Sequence, residues 1–197
     1  MFDNFEDVYK YYVVVAQLIE RIFCPKKILK TDAYNESVES MEPIATIFSG
    51  DVVVLELYSD ILENAKRRLG DKIRWFLGDI RVLLDEKFDV IVDFSTIDHV
   101  SPEDMKVVVS NYKNMLNDDG VLSVIVWTSN KNIGEYVEND CYNQFVVDRS
   151  YFEKLLDNNF DIWFAKELIF APPHEKITEL CTLVHYLCLS KKGKLYV

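Results

Sequence analysis

The stretch DVVVLELYSDILENAKRRLG at positions 51–70 begins with Val52, Val53, Val54 and Leu55, four apolar residues with no alternation. A half-solvated strand alternates; a strand buried on both faces reads as a continuous run, as in a parallel sheet covered by helices. Asp60 and Glu63 follow in capping-box spacing, predicting a helix over 61–69 that Gly70 terminates. The unit is a buried strand followed by an amphipathic helix.

Reading outward, the unit recurs. Downstream, strands are predicted at 73–77 and 88–92, the second again nearly continuous in apolar character. Ser101-Pro102 then opens a helix, since proline is preorganised for the first helical position. Met105, Val108, Val109, Tyr112, Met115 and Leu116 line one side of it, Asp119-Gly120 ends it, and a strand follows at 121–127. Upstream, Phe5, Val8, Tyr9, Tyr12, Val15, Ala16, Ile19, Ile22 and Phe23 recur at helical spacing until Pro25. A short strand through Ile28-Leu29 ends near 30–32, and 33–40 reads as a loop. Ser40 then resembles an N-cap for a helix carrying Pro43 in its first turn, with Met41, Ile44, Ala45 and Phe48 on one side and Gly50 closing it.

Residues 128–147 are polar and loop-like, Ser150 and Glu153 cap a further short helix, and strand-like runs at 160–170 and 180–189 flank Ala171-Pro172-Pro173. Those last two strands can be joined only by a hairpin-like return. The fold expected is a doubly wound α/β structure: a mostly parallel seven-stranded sheet with a terminal antiparallel strand, in one domain over 1–197.

The 197 residues carry 22 Lys+Arg against 33 Asp+Glu, a formal charge of −11, and 49% apolar residues. That apolar content excludes a disordered chain. The acidity argues against bulk nucleic acid or an anionic membrane, and leaves a neutral or cationic small molecule or a protein partner. The basic clusters Lys26-Lys27, Lys66-Arg67-Arg68 and Lys191-Lys192-Lys194 read as solvated helix ends and a tail. Cys24, Cys141, Cys181 and Cys188 show no paired spacing, so free thiols are expected and no metal site. Cys181 and Cys188, seven apart on one strand, should point to opposite faces. The acidic start, Met1 to Asp7, lacks the positive charge of a signal peptide, and the apolar run around 11–19 is too short to span a bilayer. A cytoplasmic protein is expected; oligomeric state is not legible.

In an open parallel sheet, ligands bind beyond the carboxyl ends of the strands, where strand order reverses. Glu56, after the second strand, can accept two hydrogen bonds from the vicinal hydroxyls of a ribose; the plain alternative is a solvated carboxylate near a helix start. Asp79 can accept from an adenine amino group while the N–H of Ile80 reaches a ring nitrogen; the alternative is turn chemistry at Gly78-Asp79. The segment 93–99 places Asp93, Ser95, Thr96, Asp98 and His99 directly after a buried strand. His99 could deprotonate a hydroxyl or amine, since its ordinary pKa lies near neutrality. The alternative is that His99 or Asp98 holds the loop. His185, within an apolar strand, reads as a satisfied core residue, and His174 as a loop residue.

LELYSD at 55–60, FLGDI at 76–80, FDVIVDFSTIDHV at 88–100 and LNDDGVLSVIVW at 116–127 together resemble the class I S-adenosylmethionine-dependent methyltransferases. The resemblance implies a Rossmann-like methyltransferase fold, S-adenosyl-L-methionine as cofactor and transfer of its methyl group to a small-molecule acceptor. It further implies that Glu56, with Leu57 beside it, holds the ribose, that Asp79 and Ile80 contact adenine, and that the segment from Ser95 to His99 borders the transferred methyl. The cofactor-binding half would then be 27–127 and the acceptor-side half 128–197, with the 1–24 helix at its flank.

The family's glycine-rich turn after the first strand is absent. In its place stands LKTDAYNE at 29–36, and no glycine precedes Gly50. A sub-group of methyltransferase-like proteins pairs a similar LKTD segment with an STLDH-like one, and the present LKTDAYNE and STIDH are similar to that pair. In such a variant Asp32 would meet the cofactor's ammonium and Lys30 or Asn35 its carboxylate. His99, with Asp98, would act as base only where the acceptor is a hydroxyl or a protonated nitrogen. Two other readings stand beside this one. One is a non-catalytic methyltransferase-like module working through protein contacts. The other is a nicotinamide oxidoreductase, disfavoured because the G-x-G-x-x-G turn is missing.

Overall fold

The computed structural model describes residues 5–129, 135–137, 143–171 and 181–191. Helix α1 (Phe5–Phe23) turns Val8, Tyr12, Val15, Ala16 and Ile19 inward, each at most 5% exposed. That one-sided burial holds the helix against the sheet, at roughly 1.5–3 kcal/mol for each large apolar side chain. Beyond it run β1 (Lys27–Lys30), the one-turn α2 (Tyr34–Ser37), β2 (Asp51–Glu56), α3 (Ser59–Leu69), β3 (Arg74–Leu77), β4 (Phe88–Phe94), α4 (Pro102–Met115) and β5 (Leu116–Ser129). The remainder comprises β6 (Glu135–Val137), β7 (Asn143–Phe145), β8 (Val147–Asp148), α5 (Arg149–Asp157), β9 (Phe160–Ala171) and β10 (Cys181–Ser190).

The main path of the sheet is β3-β2-β1-β4-β5-β10-β9, with β8 added beside the end of β5. Strands β1 to β5 pair in parallel, Ile28 lying between Val52 and Val90, while β10 runs antiparallel to both β5 and β9. The doubly wound, mostly parallel sheet with an antiparallel strand is therefore observed. One face of the sheet is covered by α1, the Ile44–Thr46 turn and Ala65 of α3; the other by α4 and α5. Cys181 faces the first core and Cys188 the second, while Cys24 is exposed.

Several local expectations are corrected. No helix forms over 40–48; a 3-10 turn at Ile44–Thr46 stands there instead, preceded by Pro43 in an extended conformation. Gly50 closes no helix. A Cβ on it would lie 2.6 Å from the carbonyl oxygens of Pro25 and Lys26, so the residue permits a close approach to the chain entering β1. Helix α3 begins at Ser59 with no side-chain cap, so Asp60 acts only as an acidic first-turn residue. The cap of α5 is Asp148, which accepts from the N–H groups of Ser150 and Tyr151. Ser101 does cap α4, accepting from Asp104 N–H, with Pro102 in its first turn. Part of 128–147 is not loop but the β6–β7 ribbon and β8.

Candidate functional site

The strand order reverses between β1 and β4, and a cavity of about 940 Å³ opens over the carboxyl ends of the strands there. That volume lies at the upper end of the range for small-molecule sites. Asp32, Asn35, Glu56, Leu57, Asp79, Ile80, Ser95 and His99 all line it; Lys30 and Asp98, 1% and 0% exposed, are not part of its wall.

The glycine-free turn after β1 is built by charge. Lys30 Nζ, buried at the end of β1, sits 3.0 Å from Asp32 Oδ2 and 3.0 Å from Glu36 Oε2, and donates to the Asp32 carbonyl at 2.7 Å. Burial alone would lower the ammonium's pKa, but Asp32 and Glu36 outweigh it and hold the pKa above the ordinary lysine value. Glu36 uses its other oxygen to accept from Ala45 N–H at 2.9 Å, tying the turn to the following segment. Arg68, on α3, donates to the carbonyls of Asn35 (3.0 Å), Glu36 (3.2 Å), Val38 (2.7 Å), Glu39 (3.4 Å) and Met41 (2.7 Å). The reading of Lys66-Arg67-Arg68 as a solvated helix end is thus wrong for Arg68: its guanidinium fork gathers the carbonyls of 35–41.

Glu56 closes this arrangement from β2. One carboxylate oxygen accepts from Ala33 N–H and the other from Tyr58 N–H, both at 2.9 Å. Burial is the main influence on its pKa and raises it, against those two hydrogen bonds. A carboxylate offers about four acceptor positions, so two remain after the backbone is served. Asp79 accepts from Arg81 N–H at 2.8 Å and is forked by the Arg81 guanidinium, which also reaches Asp104 at 3.2 Å. Those bonds to Arg81 hold the Asp79 carboxyl below its usual range.

After β4 the chain turns sharply. Ser95 adopts φ +64°, a left-handed conformation that costs a non-glycine residue of order 1 kcal/mol and persists only where its surroundings fix it. Here Ser95 N–H donates to the Ile125 carbonyl at 2.9 Å, and Asp93 Oδ1 accepts from Thr96 N–H (2.8 Å) and Ile97 N–H (3.2 Å). Asp93 Oδ2 accepts from Tyr112 at 2.5 Å. The resulting 3-10 turn, Ile97–His99, presents His99 to the cavity while Asp98 accepts from Gln144 at 3.2 Å. Thr31 donates to Thr96 Oγ1 at 3.0 Å, and Thr96 donates to Asp32 at 3.4 Å. The LKTDAYNE and STIDH segments, far apart in sequence, therefore touch.

Sequence reasoning missed Arg68, whose only signal was a place in a basic cluster, and Arg81, which had none. His185 is buried between Tyr11, at 2.8 Å from Nδ1, and Ser123, at 2.9 Å from Nε2; burial lowers its pKa to about 3. It is a satisfied core residue, as its setting implied. Among the described residues no cluster suited to a metal ion occurs, and no helix is long and apolar enough to cross a membrane.

Comparison with known proteins bears on this geometry. Residues 39–120 match a family described as a methyltransferase domain. Comparison with curated proteins gives no match. Among solved structures, an S-adenosylmethionine-dependent methyltransferase from Clostridium acetobutylicum superposes with a TM-score of 0.67 at 18% identity, covering 94% of this chain and 92% of that one. The 1,6-didemethyltoxoflavin-N1-methyltransferase of Burkholderia thailandensis gives 0.67 at 14% identity, covering 94% and 82%. An N-methyltransferase of Bradyrhizobium japonicum, solved with S-adenosylhomocysteine, gives 0.62 at 14%, covering 92% and 87%. The central residues thus match a methyltransferase domain, and nearly the whole chain shares the fold of these methyltransferases.

Proposed function

We propose that the protein binds S-adenosyl-L-methionine over β1, β2 and β3 and transfers its methyl group to a small-molecule acceptor. The observation that carries this reading is Glu56: a nearly buried carboxylate in the cavity wall, at the end of β2, with two acceptor positions left after its backbone bonds. Those two acceptor positions fit the vicinal hydroxyls of a ribose, which would donate to them. Leu57 and Ile80 would flank the adenine, with Asp79 at its edge, and Asp32 and Asn35 would meet the amino-acid end. Lys30 acts at one remove, fixing Asp32.

When bound, the cofactor supplies a methyl group on a sulfonium, already activated for transfer. The protein's own part is chiefly orientation, worth several kcal/mol when reacting atoms are held in line. Ser95 and Thr96 set the path of the chain beside the transfer point. His99 takes the proton of an acceptor hydroxyl or amine, and Asp98, bonded to Gln144, steadies the turn that carries it. Trp127, Phe145 and Leu183 keep water from that side.

The rival reading, a module working through protein contacts, draws support from Arg81, whose guanidinium occupies the Asp79 carboxylate. Calorimetric titration with S-adenosylhomocysteine separates the two. Saturable binding is expected, weakened ~10- to 100-fold by Glu56→Gln, because a hydrogen bond to a charged acceptor is worth ~1.5–3 kcal/mol. No heat of binding, or an affinity indifferent to Glu56→Gln, overturns the assignment.

A further inference from the structure

The cavity has two chemically unlike halves, and the sheet order divides them. Over β1, β2 and β3 lie Asp32, Glu56 and Asp79, with Arg81 pairing Asp79. Over β4, β5 and β10 the wall is Tyr9 and Tyr12 of α1, Phe94, Trp127, Phe145 and Leu183. Its polar members are Ser95, Thr96, His99, Ser101 and Gln144; Asp104, at the start of α4, also lines the cavity and is drawn to Arg81 at 3.2 Å, and among the described residues no other lysine, arginine, aspartate or glutamate lines this half. The rings are mutually ordered: Tyr9 meets Tyr12 edge-on at 5.7 Å and 90°, and Tyr12 lies against Phe94 at 4.8 Å and 30°. The Tyr12 hydroxyl is 3.4 Å from Ser95 Oγ, which binds the aromatic wall to the strained turn before His99.

An anionic group entering this half would surrender its hydration with no cation to replace it, and would face the negative faces of aromatic rings. A cationic group would find ring faces but no carboxylate left without a cation: Asp98 is buried behind Gln144, and the bordering Asp32 and Asp104 are paired with Lys30 and Arg81. A flat uncharged body loses little water and gains offset ring contacts. We infer that this half is the acceptor subsite, and that it takes a planar, uncharged aromatic or heteroaromatic molecule whose hydroxyl or N–H lies against His99. The inference rests on the cofactor occupying the opposite half.

Three naphthalene probes of one shape test it: 2-naphthol (neutral), 2-naphthoate (anionic) and 2-naphthylmethylamine (cationic), titrated calorimetrically with and without saturating S-adenosylhomocysteine. 2-Naphthol should bind at least about tenfold more tightly than either charged probe, the equivalent of about 1.4 kcal/mol. Trp127→Ala should weaken 2-naphthol about tenfold. Tyr9→Arg, on a partly exposed helix position, should raise the affinity for 2-naphthoate about tenfold, a gain that a damaged fold cannot produce. Failure of 2-naphthol to bind, a charged probe binding as tightly, or no gain in Tyr9→Arg overturns the inference. The nucleoside titration fails independently: loss of S-adenosylhomocysteine binding with the probe order preserved removes the cofactor reading and leaves an aromatic subsite, whereas the converse removes the subsite alone.

Discussion

Replacing Asp93 by asparagine should stabilise the protein at neutral and alkaline pH. Asp93 is fully buried at the end of β4, and burial pushes its pKa from 3.8 up to about 7, against the hydrogen bonds from Tyr112, Thr96 and Ile97. For an acid whose folded pKa exceeds its unfolded one, the native state holds the proton more tightly. Its contribution to stability is complete below about 3.8 and is lost as pH rises through about 7. At about 1.4 kcal/mol per pH unit, the loss across that window is about 4 kcal/mol. Asparagine keeps the geometry, since Oδ1 can still accept from Thr96 and Ile97 while the amide donates to the Tyr112 oxygen. Urea unfolding of both proteins at pH 5 and pH 8 isolates the effect, because the other carboxylates titrate alike in each. The stability difference, variant minus wild type, should move in favour of Asp93→Asn by about 3 kcal/mol from pH 5 to pH 8. A difference that does not change with pH would mean that Asp93 is ionised throughout, and would refute the reasoning.

Arg68→Ala should cost about 2–4 kcal/mol by urea unfolding and speed amide exchange across 35–41, since the carbonyls it gathers lose a charged donor. Arg68→Lys should recover little of this, because an ammonium cannot span the same fork. Lys30→Met should destabilise by about 3–5 kcal/mol through the uncompensated Glu36 carboxylate, and the double change with Glu36→Leu should restore much of the loss in the same assay.

The sheet was legible because its evidence is local and redundant. The runs at 52–55 and 88–92 have no polar side, and Pro25, Gly70 and Ser101-Pro102 punctuate the helices between them. The segment 40–50 misled for the opposite reason. Its apolar residues pack as if on a helix, but Glu36 takes the Ala45 N–H and Arg68 takes the carbonyl of Met41, so tertiary partners satisfy the backbone that a helix would have paired. Capping erred at both Asp60 and Ser150: α3 starts with no side-chain cap at all, and at α5 the cap is Asp148, two residues earlier in a run of polar residues among which spacing alone does not choose. Strand ends could be located from sequence, so Asp32, Glu56, Asp79 and His99 were expected beyond them, and all four line the cavity. The ion pairs of Lys30 and the bond from Thr31 to Thr96 join residues whose proximity only the folded sheet creates.

The most direct test of the account is a crystal structure of the protein with S-adenosylhomocysteine. The ribose hydroxyls should lie within about 3 Å of the Glu56 carboxylate, with the adenine between Leu57 and Ile80 and the thioether sulfur pointing toward Ser95 and His99. A nucleoside seated elsewhere, or Glu56 still bonded only to Ala33 and Tyr58 in crystals saturated with the ligand, would contradict it.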